Sequence, residues 1–444
     1  MKSRYLIAAA HSGAGKTTVT LGLLRAFRDR GYTLQPFKCG PDYLDPKHHV
    51  AAAGRKSINL DKHMMSTTHI RQLYEEYGAD ADICITEGVM GLFDGAPKME
   101  GSSADLAQML QMPVILVVNA KAMAYSAAAI LYGLKNFCKE LSIAGVIFNF
   151  VERESHYHLL RQACEDVGVT ALGYLPTHPA MAIPSRYLGL DASSDSRMQT
   201  TIAEAAAHIE KHIDLELLLE LTKVSVPPPS YPGSRASRQV PSHQRKVLVA
   251  EDAAFNFIYP ENIRALEQWG AVRYFSPLSD TRLPQADLLY LPGGYPEQHL
   301  EQLSANRSLL EDLRAHIDRG GKIIAECGGM MFLGKEIIDE QGKVFPMADL
   351  LDLSTTLQNK RMSLGYRTLR ANGLTIRGHE FHYSQFSTPP IGRNDVQVTN
   401  VRNEPVEAPV FHDHQVFASY MHFYWGEKPT LIDALFTIDA EKEV

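Results

Sequence analysis

The chain has 444 residues, of which 45% are hydrophobic and 21% are charged, a composition typical of a soluble globular protein. At roughly 150 residues per domain, this length predicts two or three domains. The formal net charge of −7 argues against a general nucleic-acid binder. The sequence contains no run of about 18 apolar residues, so it predicts no membrane span.

The cysteines predict neither a disulfide framework nor a zinc site, because they are odd in number and form no CxxC pair. They are Cys39, Cys84, Cys138, Cys164 and Cys327. The N-terminal apolar stretch runs into a glycine loop and a lysine, which predicts a strand and not an export signal. We therefore expect a cytoplasmic location.

Residues from 4 to about 215 alternate short apolar runs with helical patterns. RYLIAAA, DICITEG, VILVVNA and AGVIFNF are predicted to be buried strands, since their apolar residues are continuous and do not alternate. TTVTLGLLRAFRDRG has apolar residues at helical spacing and a closing glycine. This succession predicts an α/β domain with a doubly wound parallel sheet.

The loop after the first predicted strand has the residues of a phosphate-binding site. Its glycines let backbone N–H groups converge on phosphate oxygens, a lysine reaches the β- and γ-phosphates, and a hydroxyl ligates Mg²⁺. The loop residues are Ser12, Gly13, Ala14, Gly15, Lys16, Thr17 and Thr18. Ala10 stands where the usual first glycine would be, and His11 where the partitioning-type ATPases carry a second lysine. The alternative is a chance glycine turn before a helix.

Three acidic residues follow predicted strands and can complete a metal site. Asp42 and Asp45 lie in KCGPDYLDP after the second predicted strand, and Glu87 lies in ITEGVMGLFDG at the end of the third. Carboxyl ends of parallel strands line the ligand crevice, so these groups can converge on Mg²⁺ and phosphate. Each acid alone can instead be a turn former or a helix cap. Asn149, at the end of AGVIFNF, is a candidate contact for the nucleotide base or a plain strand-end residue.

A segment rich in proline, serine and arginine divides the chain. We predict a first domain over 1–224, a linker over 225–245 and a second domain over 246–444. In the second domain, KVLVAED, DLLYLPGG and KIIAECGG are strand candidates that end in polar or glycine turns. The stretch from roughly 365 to 425 is predicted to form antiparallel strands.

Cys327, in KIIAECGGMMFL, follows a buried strand and precedes an apolar helical run. This pattern is typical of a nucleophile on a sharp turn, where a helix N-terminus is expected to lower the pKa of the thiol. His422, at the end of the apolar run in VFASYMHFYW, is the candidate base, and Gly293 and Gly294 are candidates for an oxyanion hole.

Other cysteines and histidines of the chain are not predicted to belong to this nucleophile site. Cys84 and Cys138 are predicted to pack in the core, and Cys164 to lie on a helix. His379 and His382 in RGHEFHYS can be interpreted as metal ligands, but no carboxylate or cysteine at ligand spacing joins them.

These stretches together resemble one family. LPGGYPE, AECGGMMFL and the late histidine are similar to a class I glutamine amidotransferase domain of the cobyrinate type. SGAGKTT, PFKCGPDYLDP, NLDKHM and EGVMGLFDG resemble the dethiobiotin-synthetase-like ATP domain of the same enzymes. The resemblance covers the whole chain, linker included, and the combination of GPDYLD, EGVMGLFDG and AECGG is specific.

The resemblance implies ATP- and glutamine-dependent amidation of the a- and c-carboxylates of cobyrinate, with Mg²⁺ as cofactor. Cys327 would form a γ-glutamyl thioester and release ammonia, and His422 would move the protons. The position two residues after the histidine, a glutamate in many class I amidotransferases, is Tyr424 here. Lys16 and Mg²⁺ would assist transfer of the γ-phosphate to a substrate carboxylate, and ammonia would then displace phosphate.

The tetrapyrrole polycarboxylate needs cationic and hydroxyl contacts, for which the candidates are Lys38, Tyr43, Arg55 and Arg186. Neither nucleic acid nor a membrane is an expected partner. A homodimer is one candidate for the oligomeric state, which the sequence leaves open.

Several alternatives stay open at this point. The same chemistry on Ni-sirohydrochlorin or hydrogenobyrinate shares all these motifs, and cobyrate is a more remote candidate. A protein of a different class would be a non-catalytic regulator that senses glutamine. A biotin-pathway synthetase is disfavoured because it leaves the residues after 245 unexplained.

Overall fold

The computed structural model describes residues 2–183, 196–224, 245–371, 373–388 and 396–437. The chain divides into two compact units, Met1–Arg238 and Gln239–Val444. Arg186 and nearly all of the predicted linker lie outside the described residues. The predicted domain boundaries therefore stay a prediction.

The first unit is built on one sheet, and its strands are mostly continuous apolar runs. They are β1 (Lys2–Ala9), β2 (Leu34–Cys39), β3 (Ile58–Leu60), β4 (Ile83–Glu87), β5 (Val114–Asn119), β6 (Ile143–Asn149), β7 (Ala171–Leu175) and β8 (Lys223–Val224). The order is β3-β2-β4-β1-β5-β6-β7, all parallel, and β8 pairs antiparallel with β1. Every residue of β2 and β4 is buried, so both faces of the sheet are covered there.

Helices connect these strands. They are α1 (Lys16–Asp29), α2 (Leu44–Ala53), α3 (Thr67–Tyr77), α4 (Ser103–Leu110), α5 (Ala127–Phe137), α6 (Glu154–Val167), α7 (Ser196–His212) and α8 (Leu215–Leu221). The predicted doubly wound α/β domain is confirmed. Strand β3 was not predicted, because three residues carry no periodicity, and it makes DICITEG the fourth strand.

The topology of the first unit defines where a ligand can bind. Strand β1 lies between β4 and β5: the chain runs from β1 to β2 on one side of β1, and later from β4 to β5 on the other side. A crevice forms at the carboxyl ends of the strands where the order reverses. The glycine loop begins directly after β1, at this edge.

The second unit has a main sheet in the order β11-β9-β12-β14-β23-β22. Its pairs are parallel except β22 with β23. These strands are β9 (Lys246–Ala250), β11 (Ala271–Phe275), β12 (Leu288–Leu291), β14 (Lys322–Glu326), β22 (Val410–His412) and β23 (Val416–Ser419). The helices are α9 (Pro260–Trp269), α10 (Leu300–Ala305), α11 (Arg307–Asp318), α12 (Gly328–Leu333) and α13 (Leu431–Ala434). The predicted α/β class is confirmed here too.

Smaller sheets complete the second unit, in the orders β10-β13, β16-β15-β17-β20 and β21-β18-β19-β24. Their strands are β10 (Phe255–Phe257), β13 (Gly293–Gly294), β15 (Glu336–Ile338), β16 (Val344–Pro346), β17 (Ser354–Thr356), β18 (Ser363–Ala371), β19 (Leu374–His382), β20 (Gln385–Phe386), β21 (Gln397–Thr399) and β24 (His422–Phe423).

The antiparallel prediction for the last stretch is correct for β18, β19 and β24, and for β23 it is correct on one side only, where β23 pairs with β22. On its other side β23 pairs parallel with β14, so it lies inside the main sheet, and all four of its residues are buried. The run VFASYMHFYW is therefore two strands in two sheets, and His422 begins the second one. Within the described parts of the chain, no helix has the length and apolar character needed to cross a membrane.

Candidate functional site

The glycine loop has the backbone conformation that its sequence predicts. Gly13 and Gly15 adopt φ angles of +79° and +93°, in the left-handed region that glycine tolerates. A Cβ atom at Gly15 would also lie 2.0 Å from the Asn149 side-chain nitrogen. That nitrogen donates a hydrogen bond of 3.0 Å to the carbonyl of Ala14. The end of β6 therefore braces the loop, and Gly15 is needed for both conformation and space.

Lys16 and Thr17 begin α1 and point toward the end of β4. The Lys16 ammonium donates to the carbonyl oxygen of Met90, and the Thr17 hydroxyl donates to Glu87 Oε1 at 2.7 Å. Burial lowers the pKa of Lys16, and the charge of Glu87 opposes this effect. A lysine held beside a glycine loop in this way can shift from a backbone carbonyl to phosphate oxygens.

The three predicted acids gather around Lys38, and we call Asp42, Asp45 and Glu87 the strand-end acids. Lys38 Nζ lies 3.0 Å from Glu87 Oε1, 2.5 Å from Asp45 Oδ2 and 3.8 Å from Asp42 Oδ2. Lys38 and Glu87 are register partners on β2 and β4, and Asp45 lies in the first turn of α2. The topology therefore brings together residues that are up to 49 positions apart in sequence.

The pKa values of Glu87 and Asp45 shift in opposite directions. Burial alone would raise the pKa of Glu87, but Lys38 and the hydrogen bond from His49 outweigh it and lower that pKa. Burial and the neighbouring Glu87 charge raise the pKa of Asp45 well above its usual value. Lys38 loses hydration, yet the acids around it raise its pKa. One lysine therefore faces three carboxyl groups, which favours a further cation among them.

His49 belongs to this cluster and was missed in the sequence. Its Nε2 lies 2.8 Å from Glu87 Oε2 and its Nδ1 lies 2.9 Å from the Ser57 hydroxyl, with the ring fully buried. The available signal was its spacing, since His49 follows Asp45 by four residues and so shares a face of α2.

We expect Lys38→Met to lower the free energy of unfolding by about 3–5 kcal/mol, because it leaves buried carboxylates unpaired. Chemical denaturation at pH 8 measures this loss. At pH 5 the loss should be smaller, since carboxyls whose pKa has risen take up protons. Lys62→Met removes the half-buried pair with Asp105 and is the control, with an expected cost below about 1 kcal/mol. An equal loss of unfolding free energy in the two variants would contradict the pairing of Lys38 with the strand-end acids.

The residues predicted to contact the substrate are not all brought together. Lys38 is 2% exposed and lies among the strand-end acids, and Tyr43 is buried directly before α2. Arg55 instead bonds the carbonyl of Tyr77 and the carboxylate of Asp80, which precede β4 at the opposite edge of the sheet. Arg186 lies outside the described residues.

The thiol site lies in the second unit, at the turn between β14 and α12. Cys327 has φ 46° and ψ −107°, an unusual conformation for a non-glycine residue, and its backbone N–H donates to the Ser419 carbonyl at 2.7 Å. The side chain is 4% exposed. This is the strand–nucleophile–helix turn that the sequence predicts.

Cys327 and His422 face each other across Gly293. A Cβ atom at Gly293 would lie 2.2 Å from His422 Cε1 and 3.3 Å from Cys327 Cβ. Gly294 is close as well, because a Cβ atom at Gly328 would lie 3.3 Å from the Gly294 nitrogen. The structure thus brings both candidate oxyanion-hole glycines to the predicted nucleophile and base.

The predicted low pKa of the Cys327 thiol is wrong. Burial raises this pKa well above its usual value, the charge of Glu297 raises it further, and a backbone hydrogen bond from Gly328 offsets only part of the shift. Burial and the nearby His379 lower the pKa of His422. The helix α12 has only six residues, so its N-terminus does not outweigh the loss of hydration. The pair is therefore a neutral thiol and a neutral imidazole.

Glu326, together with Tyr290, connects the chain segments that carry Cys327 and His422, and both residues were missed in the sequence. Glu326 Oε1 accepts a hydrogen bond of 3.0 Å from the Phe423 backbone, and its Oε2 accepts one of 2.8 Å from the Tyr290 hydroxyl. Burial raises the pKa of Glu326 to about 8. Because Glu326 precedes the nucleophile and Phe423 follows the base, one side chain links the two segments.

The histidines of β19 pack against the site. The rings of His379 and His422 stack at 5.2 Å between centroids, and His382 stacks on Tyr420 at 3.8 Å. Within the described ranges, neither His379 nor His382 belongs to a group of three candidate ligands. The position after the base that would carry an orienting glutamate is the buried Tyr424.

We expect Gly293→Ala to reduce glutamine hydrolysis by at least about 100-fold, because its methyl group would displace His422 from the thiol. Steady-state ammonia release measures the effect. Gly133→Ala on α5 meets no atom within 4 Å and is the control, with unchanged hydrolysis expected. Full activity of Gly293→Ala would show that the close approach is not needed.

Comparison with known proteins agrees with this division into two sites. Residues 5–188 match the family model of the CobQ/CobB/MinD/ParA nucleotide binding domain, and residues 246–430 match that of the CobB/CobQ-like glutamine amidotransferase domain. The chain thus contains a nucleotide-binding domain followed by a glutamine amidotransferase domain.

Several relatives align with this chain over nearly its whole length. The cobyrinate a,c-diamide synthase of Listeria innocua is 38% identical and aligns over 98% of this chain and 99% of its own length. The corresponding enzyme of Salmonella typhimurium is 38% identical over 96% of each chain. The hydrogenobyrinate a,c-diamide synthase of Brucella abortus is 38% identical over 94% of this chain and 97% of its own. The resemblance inferred from the motifs is confirmed, and the chain belongs to the a,c-diamide synthase family of ATP-dependent glutamine amidotransferases.

Proposed function

We propose that the protein amidates the a- and c-carboxylates of cobyrinate, using ATP to activate each carboxylate and glutamine to supply ammonia. The observation that carries the proposal is the presence of two complementary sites in one chain. Lys16 and the strand-end acids suit phosphoryl transfer, and Cys327 facing His422 suits glutamine hydrolysis. The names of the full-length relatives supply the substrate.

The nucleotide-binding domain would act on a substrate carboxylate, which is a poor electrophile. A carboxylate does not react with ammonia until one of its oxygens becomes a leaving group, which transfer of the γ-phosphate achieves. The backbone N–H groups of residues 12–18 would hold the phosphates, with Lys16 neutralising the charge that develops on the transferred group. Asn149 would stay beside the loop that it braces.

The strand-end acids fit a magnesium ion. The hydroxyl of Thr17 and the carboxylates of Asp42, Asp45 and Glu87 are hard oxygen donors, which Mg²⁺ prefers. When bound, Mg²⁺ would offset negative charge on the phosphate groups. Lys38 would balance the remaining carboxylates and contact a substrate carboxylate only if it leaves them.

The glutaminase half begins from a neutral pair. The thiol proton of Cys327 would pass to His422 as sulfur attacks the side-chain amide carbon of glutamine. The N–H groups of Gly293 and Gly294 would receive the oxyanion, and the imidazolium would return the proton to the leaving nitrogen. Water then cleaves the γ-glutamyl thioester, which releases glutamate and restores the thiol.

We expect the rate of Cys327 alkylation by iodoacetamide to rise by about tenfold per pH unit from pH 7 to pH 9, because only the thiolate reacts and burial raises the thiol pKa. The Cys327→Ala variant gives the background from the other four cysteines, which are also buried. A rate that is already constant above pH 7 would mean a thiolate at rest and would contradict the neutral pair.

Hydrogenobyrinate is the strongest alternative substrate, because relatives that act on it are as similar as those that act on cobyrinate. Ni-sirohydrochlorin is a further candidate on chemical grounds. Parallel assays with the cobalt, metal-free and nickel substrates, read by mass spectrometry of added amide groups, separate them. Preferred amidation of a substrate other than cobyrinate would overturn the proposed specificity.

A glutamine-sensing regulator is disfavoured by the facing thiol and imidazole, which such a protein does not need. Glutamine hydrolysis that depends on Cys327 excludes this second function. A homodimer and a cytoplasmic location stay predictions.

A further inference from the structure

Three candidate metal ligands meet beside the carboxyl end of β7, apart from the residues proposed for ATP and Mg²⁺. One nitrogen each of His178 and His208 and one carboxylate oxygen of Glu204 all lie within 4.8 Å of one another. His178 comes from the segment after β7, and the other two come from α7. From this geometry we propose that the three side chains bind one divalent ion of the zinc class.

Helix spacing and ring packing bring the three side chains together. Glu204 and His208 are one helical turn apart, so they share a face of α7. The ring of His178 lies 4.9 Å from that of His208, tilted by 43°. The Nδ1 atom of His208 is buried and has no hydrogen-bond partner within the described part of the chain. A buried ring nitrogen of this kind is costly unless something binds it.

The donor set decides which ion is expected. Two imidazoles and one carboxylate are the three protein ligands of open zinc sites, with water in the fourth position. Mg²⁺ prefers oxygen donors in octahedral geometry and is better served by the strand-end acids. The ligand atoms lie within 4.8 Å of one another, so rotations of these side chains would have to bring them closer together around a tetrahedral zinc ion.

A bound ion would join two elements that are separate in sequence. It would clamp the segment after β7 to α7, and this segment starts at the edge of the sheet where the glycine loop lies. Leu175 at the end of β7 is the register partner of Asn149, which braces that loop. The ion would therefore act as a structural clip next to the nucleotide edge.

Zinc binding by the full chain tests the proposal. The protein is prepared without a histidine tag, treated with EDTA, and titrated with Zn²⁺ against a competing chromophoric chelator in excess Mg²⁺. Wild type should bind one Zn²⁺ that His208→Ala binds more than about 100-fold more weakly, since even indirect partners of zinc ligands contribute 10–100-fold. Glu204→Gln, which keeps size and shape, should also weaken binding.

His158→Gln replaces an exposed histidine on α6 and is the matched control, with zinc affinity equal to wild type. Thermal unfolding in EDTA should be the same for wild type and Glu204→Gln, and added Zn²⁺ should raise the melting temperature of wild type alone. Co²⁺ should produce the visible absorption of a four-coordinate site in wild type and not in His208→Ala. Equal zinc affinity in wild type, Glu204→Gln and His208→Ala, or no zinc bound by wild type, would overturn the proposal.

Discussion

Replacing Cys327 by alanine is expected to reduce glutamine-dependent amidation by at least about 10⁴-fold, as the loss of a nucleophile does in other thiol and hydroxyl enzymes. No thioester can form, so ammonia is no longer released from glutamine. Amidation with added ammonium salt at high pH should be retained, because the residues that activate the carboxylate lie in the other unit. Parallel assays of glutamate release and of amide formation measure the two halves.

Cys164→Ala is the matched control for this experiment. Cys164 is also buried, and burial also raises its pKa, but it lies on α6 in the first unit. Its replacement should leave both activities near wild type. Ammonia release by Cys327→Ala at the wild-type rate would disprove the thioester, and loss of ammonium-dependent amidation would show that the variant is damaged beyond its thiol.

Lys16→Ala is expected to reduce amidation by about 10³-fold with either glutamine or ammonium salt, because charge on the transferring phosphate loses its main cationic partner. Glutamine hydrolysis should persist, since Cys327, Gly293 and His422 belong to the other unit. The readouts are phosphate release in the presence of substrate and glutamate release in its absence.

Lys56→Ala is the control for the lysine variant, because Lys56 is an exposed residue of the same unit. It should amidate at the wild-type rate. Full amidation by Lys16→Ala would remove the glycine loop from phosphoryl transfer, whereas simultaneous loss of both activities would indicate that Lys16 acts through folding.

Features set by a few adjacent residues could be predicted from the sequence. The glycine loop follows from positions that require positive φ between a strand and a helix, and both Gly13 and Gly15 adopt it. The turn at Cys327 follows from the same logic, since an apolar strand meets glycines and then an apolar helix. The convergence of Asp42, Asp45 and Glu87 follows from strand ends in a parallel sheet.

Features that depend on distant contacts could not be predicted. The hydrogen bond from Phe423 to Glu326 joins residues 97 positions apart, and His49 meets Glu87 across 38 positions. The raised pKa of the Cys327 thiol comes from burial by the whole second unit, which local sequence does not report. The parallel pairing of β23 with β14 was not predicted, because an apolar run of four residues fits either kind of sheet.

The interpretation of Arg55 illustrates the same limit. Its place after the second predicted strand suggested a substrate contact, but α2 carries the chain back to the opposite edge of the sheet, where Arg55 pairs with Asp80. A residue near a functional strand in sequence can thus lie a full strand length from its carboxyl end.

The most direct test of the central claim is amidation of cobyrinate by the wild-type chain with ATP, Mg²⁺ and glutamine labelled with nitrogen-15 in its side-chain amide. We predict a product that carries two labelled amide groups, with one ATP cleaved for each. Glutamine hydrolysis without label in the tetrapyrrole, or labelled product formed without ATP cleavage, would contradict the account.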